Sequence, residues 1–139
     1  MADLVEIATA AGAVATEISR KEGWALLQTW REIYCAPATG KWVNAGRHGW
    51  HTFSGGFFRC LRGYRALDEY NAQDAAALLV LPEDDHCAAI RCASSSPVDF
   101  SGLYLDVYIA PDSFEWTMVF THEHPMYGPY FSRAMWRDR

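Results

Sequence analysis

The sequence predicts an α+β protein: N-terminal helices packed on a four-stranded, mostly antiparallel sheet, in a single domain over 1–139. Three observations point there. Apolar residues recur at spacings of three and four through the first half of the chain. From about residue 76 the period switches to two. Turn chemistry of Pro, Asp and Ser separates the later runs, with no helix between them. Helices segregated from strands in this way give an α+β architecture, with the helices over one sheet face.

Leu4, Ile7, Ala8, Ala11, Val14, Ala15 and Ile18 form one stripe and predict a helix over 3–20, with Asp3 at its start. Its polar side is thin and Ala-rich, so residues 1–22 are expected to dock loosely or on another chain. Trp24, Leu27, Trp30, Ile33 and Tyr34 give a second helix over 24–35, stopped by Pro37, Thr39 and Gly40. Gly46, Gly49, Gly55 and Gly56 bracket a short segment, Trp50 to Ser54. A third helix is expected over 56–73 in one or two pieces, with Gly63 marking the break. Strands follow at 76–81, 86–93, 103–110 and 116–121. In the third of these, Leu103, Leu105, Val107 and Ile109 alternate with Tyr104, Asp106 and Tyr108.

Half of the 139 residues are hydrophobic, which suffices for a core. Six tryptophans and seven tyrosines exceed what that core needs and point to a groove or interface. The net charge is −5 and no basic run exists, which argues against nucleic acid. Phosphate-loop and dinucleotide motifs are absent, so no cofactor is expected. Cys35, Cys60, Cys87 and Cys92 lack Cys-x-x-Cys spacing and read as reduced thiols. Asp3 and Glu6 stand where a signal peptide would be basic, and no run approaches about 18 apolar residues, so no membrane partner is expected and the protein reads as soluble and cytoplasmic.

The stretch Trp116 to Phe131 carries the densest chemistry. A strand runs into His122-Glu123-His124, then Pro125 and the turn Met126 to Pro129. On a strand, His122 and His124 share a face and Glu123 lies opposite. With His48 and His51 they are the candidate metal ligands, with Glu123 as general base. No spacing here matches the helical His-Glu-x-x-His pattern. Ser54 with His51 or His122 is a weaker nucleophile–base pairing, since no Gly-x-Ser-x-Gly elbow is present.

Trp50-His51-Thr52-Phe53-Ser54, taken with Trp116 to Glu123 and Gly128-Pro129-Tyr130-Phe131, resembles a small bacterial family of unknown function. That family carries Trp-His-x-Phe-Ser and Trp-Thr-x-Val-x-Thr-His-Glu…Gly-Pro-Tyr-Phe segments. The resemblance covers about Trp30 to Phe131. It implies a compact domain and no established activity. If the two stretches meet in space, His51, Ser54, Thr121, His122 and Glu123 form one polar cluster ringed by Trp50, Trp116, Tyr127 and Tyr130.

Two functions fit. The first is a non-catalytic protein-binding module, such as an immunity-type inhibitor of a basic toxin. Its surface would hold Glu83, Asp84, Asp85, Asp106, Asp112 and Glu115 with the Tyr104 and Tyr108 face. The second is a metal-dependent hydrolase on His48, His51, His122, Glu123 and His124. The oligomeric state is not legible.

Overall fold

The structure is a computed structural model and describes residues 3–38 and 48–137. Thr39, Gly40 and Gly46, read above as turn residues, lie outside them.

Asp3 begins the first helix by accepting the Glu6 N–H at 2.9 Å. Helix α1 covers only Leu4–Ala10. Gly12 then takes φ +87° and the chain reverses into strand β1, Val14–Glu17. The stripe that reads as one helix over 3–20 is therefore a helix and an edge strand. Pairing of Val14 with Ala93 and Glu17 with Ile90 overrides the local helical preference. The short helix is firmly docked, with Leu4 and Ala8 buried.

Ser19 caps helix α2, Arg20–Tyr34, by accepting the Glu22 N–H at 3.2 Å. The Trp50 segment is a one-turn helix α3, His51–Ser54. Of the third predicted helix only Tyr64–Asn71 (α4) is helical. The preceding Leu61–Arg62 is strand β2, and Gly63, at φ +61°, is the joint between them. Strands β3 (Leu78–Pro82), β4 (Ile90–Ala93), β5 (Val107–Ala110) and β6 (Trp116–Phe120) fall inside or one residue beyond the predicted runs. Tyr130–Arg133 adds β7.

Among the described residues, seven strands form one antiparallel sheet in the order β1-β4-β3-β5-β6-β7-β2. The predicted sheet of four strands is thus seven, because β1, β2 and β7 are too short or too ambiguous to announce themselves. It is not a meander either: β3 pairs with both β4 and β5.

Helices cover both faces of the sheet, where cover on one face was expected. On one side, α1 and α4 pack Leu4, Ala8, Ala66 and Tyr70 against Val107, Ile109, Trp116, Met118, Phe120 and Phe131. On the other, α2 and α3 pack Trp30, Tyr34 and Phe53 against Leu79, Leu81, Tyr108, Val119 and Tyr130. Strand alternation sends each neighbour in sequence to the opposite core.

Trp30 centres the second core. It is fully buried, and its Nε1–H donates to Thr117 Oγ1 at 2.8 Å. That hydroxyl donates in turn to the Ile109 carbonyl at 2.8 Å. Thr117→Val leaves the indole N–H unpaired in a dry core. It is expected to cost about 1–3 kcal/mol in urea unfolding, whereas Met126→Ala, at an 82% exposed position, should leave the midpoint unchanged.

Candidate functional site

Three adjacent strands end at the same level. Pro82 of β3 lies opposite Val107 of β5, and Val107 lies opposite Phe120 of β6. The residues flanking those pairs, Glu83, Asp106 and His122, are therefore brought together at one end of the sheet. The Glu83 N–H donates to the Asp106 carbonyl at 2.9 Å and closes the row. The turn before α3 delivers His48, with Trp50 and Phe53 sunk into the second core as its anchors.

Asp106 is the hub. One carboxylate oxygen accepts the His122 backbone N–H at 2.8 Å and lies 2.8 Å from His122 Nδ1. The other lies 3.1 Å from His48 Nδ1. Its residue is 9% exposed. Burial pushes its pKa up, but the bonds from the His122 N–H and from both imidazoles outweigh burial and hold the carboxyl below its ordinary value. The two imidazole centroids are 5.3 Å apart.

Glu83 fixes the turn that carries His48. Its carboxylate accepts the His48 N–H, the Gly49 N–H at 3.1 Å and the Tyr108 hydroxyl, and pairs with Arg31 at 3.9 Å. His48 takes φ +54°, which a side chain rarely adopts. Two backbone N–H groups on one carboxylate hold it there. The Tyr108 hydroxyl also accepts the Trp50 N–H at 3.2 Å, so one hydrogen-bonded set runs from β5 to α3.

His51 sits beside this hub. Its ring is 5.7 Å from that of His48 and 4.0 Å from that of Trp50, and its Nδ1 is 2.9 Å from Ser54 Oγ. Burial first, then the neighbouring His48, lowers its pKa and favours the neutral ring at pH 7, while the carboxylates of Glu123, Asp106 and Glu83 pull the other way. Trp50 is fully buried and its Nε1 has no partner. Tyr127 and Tyr130 lie 5.8 and 6.3 Å from it.

The two stretches predicted to meet do so: the Trp50 ring lies 6.1 Å from that of His122, with the His48 ring 5.3 Å from the same imidazole. Other placements differ from expectation. The strand ends at Phe120, residues 122–126 form turns, and His122 and His124 no longer share a face. His124 lies against Tyr104, with ring centroids 6.4 Å apart. Trp116 is on the opposite sheet face, packed on Tyr70 and Phe131, and does not ring the cluster. Tyr108 is fully buried and offers no surface to a partner. Glu83 is committed to internal bonds. Asp84, Asp85 and Tyr104 are exposed. Glu123 is exposed, with its N–H directed to Thr121 Oγ1 at 3.3 Å. Asp112 is bound to Arg91 at 3.0 Å.

Sequence reasoning placed Asp106 and Glu83 among surface acids and missed their roles. One signal was available. Asp106 shares the alternating face of Tyr108, which has to be buried if helices pack on that side of the sheet.

Ligand atoms of His48, Asp106 and His122 lie within 4.8 Å of one another, a spacing one metal ion can bridge. They line a groove of about 600 Å³ with Trp24, Leu27 and Arg31. Among the described residues, Asp84, Asp85 and His86 form a second such group, but all three are exposed. The four cysteines are free, and burial raises the Cys35 thiol to about 11, which leaves it unreactive.

Fold and site together define an α+β protein with a His–Asp–His cluster at the open end of an antiparallel sheet. The chain belongs to the family described as Domain of unknown function (DUF4275), whose model matches residues 21–131. Neither the curated proteins nor the solved structures compared with it include a match. No helix of the described residues is long and apolar enough to cross a membrane.

Glu83→Ala strips an acceptor from two backbone N–H groups, a tyrosine and an arginine. It is expected to cost about 3 kcal/mol in chemical unfolding, with Glu83→Gln costing less. Asp106 is titrated differently. Its carboxyl is held below 3.8 in the folded state, so its contribution is present above that value and is lost as pH falls through the folded one. Stability measured in chelator against pH should fall more steeply on the acid side for wild type than for Asp106→Asn.

Proposed function

We propose that the chain is a metal-dependent hydrolase with a mononuclear site on His48, Asp106 and His122. The observation that carries this reading is the buried Asp106 carboxylate between two imidazole Nδ1 atoms, opening on a groove. Three protein ligands leave a coordination position free, which is the pattern of catalytic rather than structural zinc sites. A bound divalent ion would supply Lewis acidity and lower the pKa of a water in that position.

The chain's own residues do the rest. Glu83 and Arg31 hold the His48 turn in place. Glu123 lies on the turn after β6 and influences the His51 titration. It is the residue assigned to take the proton from the attacking water. His124 faces Tyr104 and is left out of the ligand set, as is His51, which does not belong to the group whose ligand atoms lie within 4.8 Å of one another.

Purified chain reconstituted with zinc should hold one ion per molecule by native mass spectrometry. His48→Ala, His122→Ala and Asp106→Asn should each weaken binding by about 100-fold or more, beyond what loss of a supporting residue costs. His124→Ala should leave it unchanged. Full zinc affinity in the Asp106→Asn and His122→Ala proteins would defeat the assignment. Glu123→Gln should keep the metal and lose turnover.

A second reading is a non-catalytic inhibitor that binds a basic protein partner. It is supported by the exposed acids Asp84 and Asp85 and by Trp24, 65% exposed in the same groove. Under that reading Asp106→Asn leaves partner binding intact.

A further inference from the structure

The groove does not stop at the histidines. A second hollow of about 710 Å³ shares Trp24, Leu27, Glu83, Asp84, Asp85 and His86 with the first, so the two adjoin along α2 and form a channel with a common rim. The second hollow has apolar walls from Ile18, Leu27, Pro82 and Ala89. The first is acidic. Among its described lining residues stand four carboxylates, Glu83, Asp84, Asp85 and Asp106, against one guanidinium, Arg31.

Glu83 is taken up by Arg31 and the His48 turn, and Asp106 by the two imidazoles. Asp84 and Asp85 remain at the surface. Asp84 accepts the His86 N–H at 2.8 Å, and the exposed Asp85 carboxylate lies 3.8 Å from His86 Nε2. Trp24, an aromatic face 65% exposed, lines both hollows. Arg20 donates to the Asp85 carbonyl at 3.1 Å, and Lys21 also lines the second hollow.

We propose that the substrate is a basic peptide segment laid along this channel, with an apolar side chain in the second hollow and a Lys or Arg between Trp24 and the Asp84–Asp85 turn. An anionic side chain at the Asp84–Asp85 turn would face two like charges. A cationic side chain meets two carboxylates and an aromatic face. A small neutral amide would leave Trp24 and the second hollow uncovered. The inference rests on the hydrolase reading. In the reaction it implies, the water oxygen bonds to the acyl carbon, the C–N bond breaks, and the nitrogen leaves as an amine carrying a proton from that water.

The test is fluorescence anisotropy with the full chain, in chelator so that no turnover intervenes. The probes are a labelled, acetylated Leu-Ala-Lys-Lys-Ala amide and the same peptide with Glu for Lys. The Lys peptide should bind at least about tenfold tighter than the Glu peptide, and the double variant Asp84→Asn, Asp85→Asn should weaken it by about tenfold, as two surface ion pairs allow. Trp24→Ala should weaken it too. These side chains are exposed, and matched unfolding midpoints confirm that the variants fold. Equal binding of the two peptides, or binding that ignores all three substitutions, overturns the proposal. Zinc stoichiometry on the same preparation separates the two claims. A chain that holds zinc but not the Lys peptide refutes this substrate class alone. One that holds the Lys peptide in the groove but no zinc upholds the channel and removes the hydrolase.

Discussion

The common level at which β3, β5 and β6 end is the constraint on which the site depends. Strand register is fixed in steps of two by which face is buried. Here both faces are buried, and Val107, opposite both Pro82 and Phe120, ties three strands to one register. A slip of one residue would send Asp106 to the other face and bring Val107 into its place. The site is thus a consequence of core packing. Trp30, Tyr108 and Val119 on one side and Met118, Phe120 and Phe131 on the other leave no alternative alignment.

On that frame the polar groups are arranged in two layers. The first holds Glu83, Tyr108 and Arg31, whose bonds are to backbone N–H groups and to one another. The outer one holds the two imidazoles with Asp106, whose own side chain is 8% exposed against 13% for Glu83. The first is nearly fully satisfied, which rigidifies the turn holding His48. The outer layer keeps both imidazoles more than two-fifths exposed at their side chains. A rigid support under accessible ligand atoms suits a site that must hold its geometry while admitting a ligand.

Much of this was legible in the sequence, and the failures have physical causes. The Trp116–Phe120 strand and its polar end were readable because β-branched and aromatic residues alternate there and a proline closes the turn. The meeting of the Trp50 segment with His122 followed from resemblance. The N-terminal stripe misled because Ala13 to Ile18 satisfies both periods, and only the tertiary partner, β4, decides between them. His122 and His124 seemed paired because the strand period was carried past Phe120 through residue 124. Once Phe120 is the last strand residue, the period-two rule no longer applies to them. Asp106 escaped notice because an acid on a strand looks like a solvated face until two separate turns, before α3 and after β6, each supply a histidine.

The central claim is that His48, Asp106 and His122 share one metal ion. Anomalous diffraction from crystals grown with zinc addresses it most directly. The account predicts a single strong peak at about 2.0–2.2 Å from a nitrogen of His48, a nitrogen of His122 and a carboxylate oxygen of Asp106. A peak confined to the exposed Asp84–His86 turn, or none at Asp106 under saturating zinc, would contradict it.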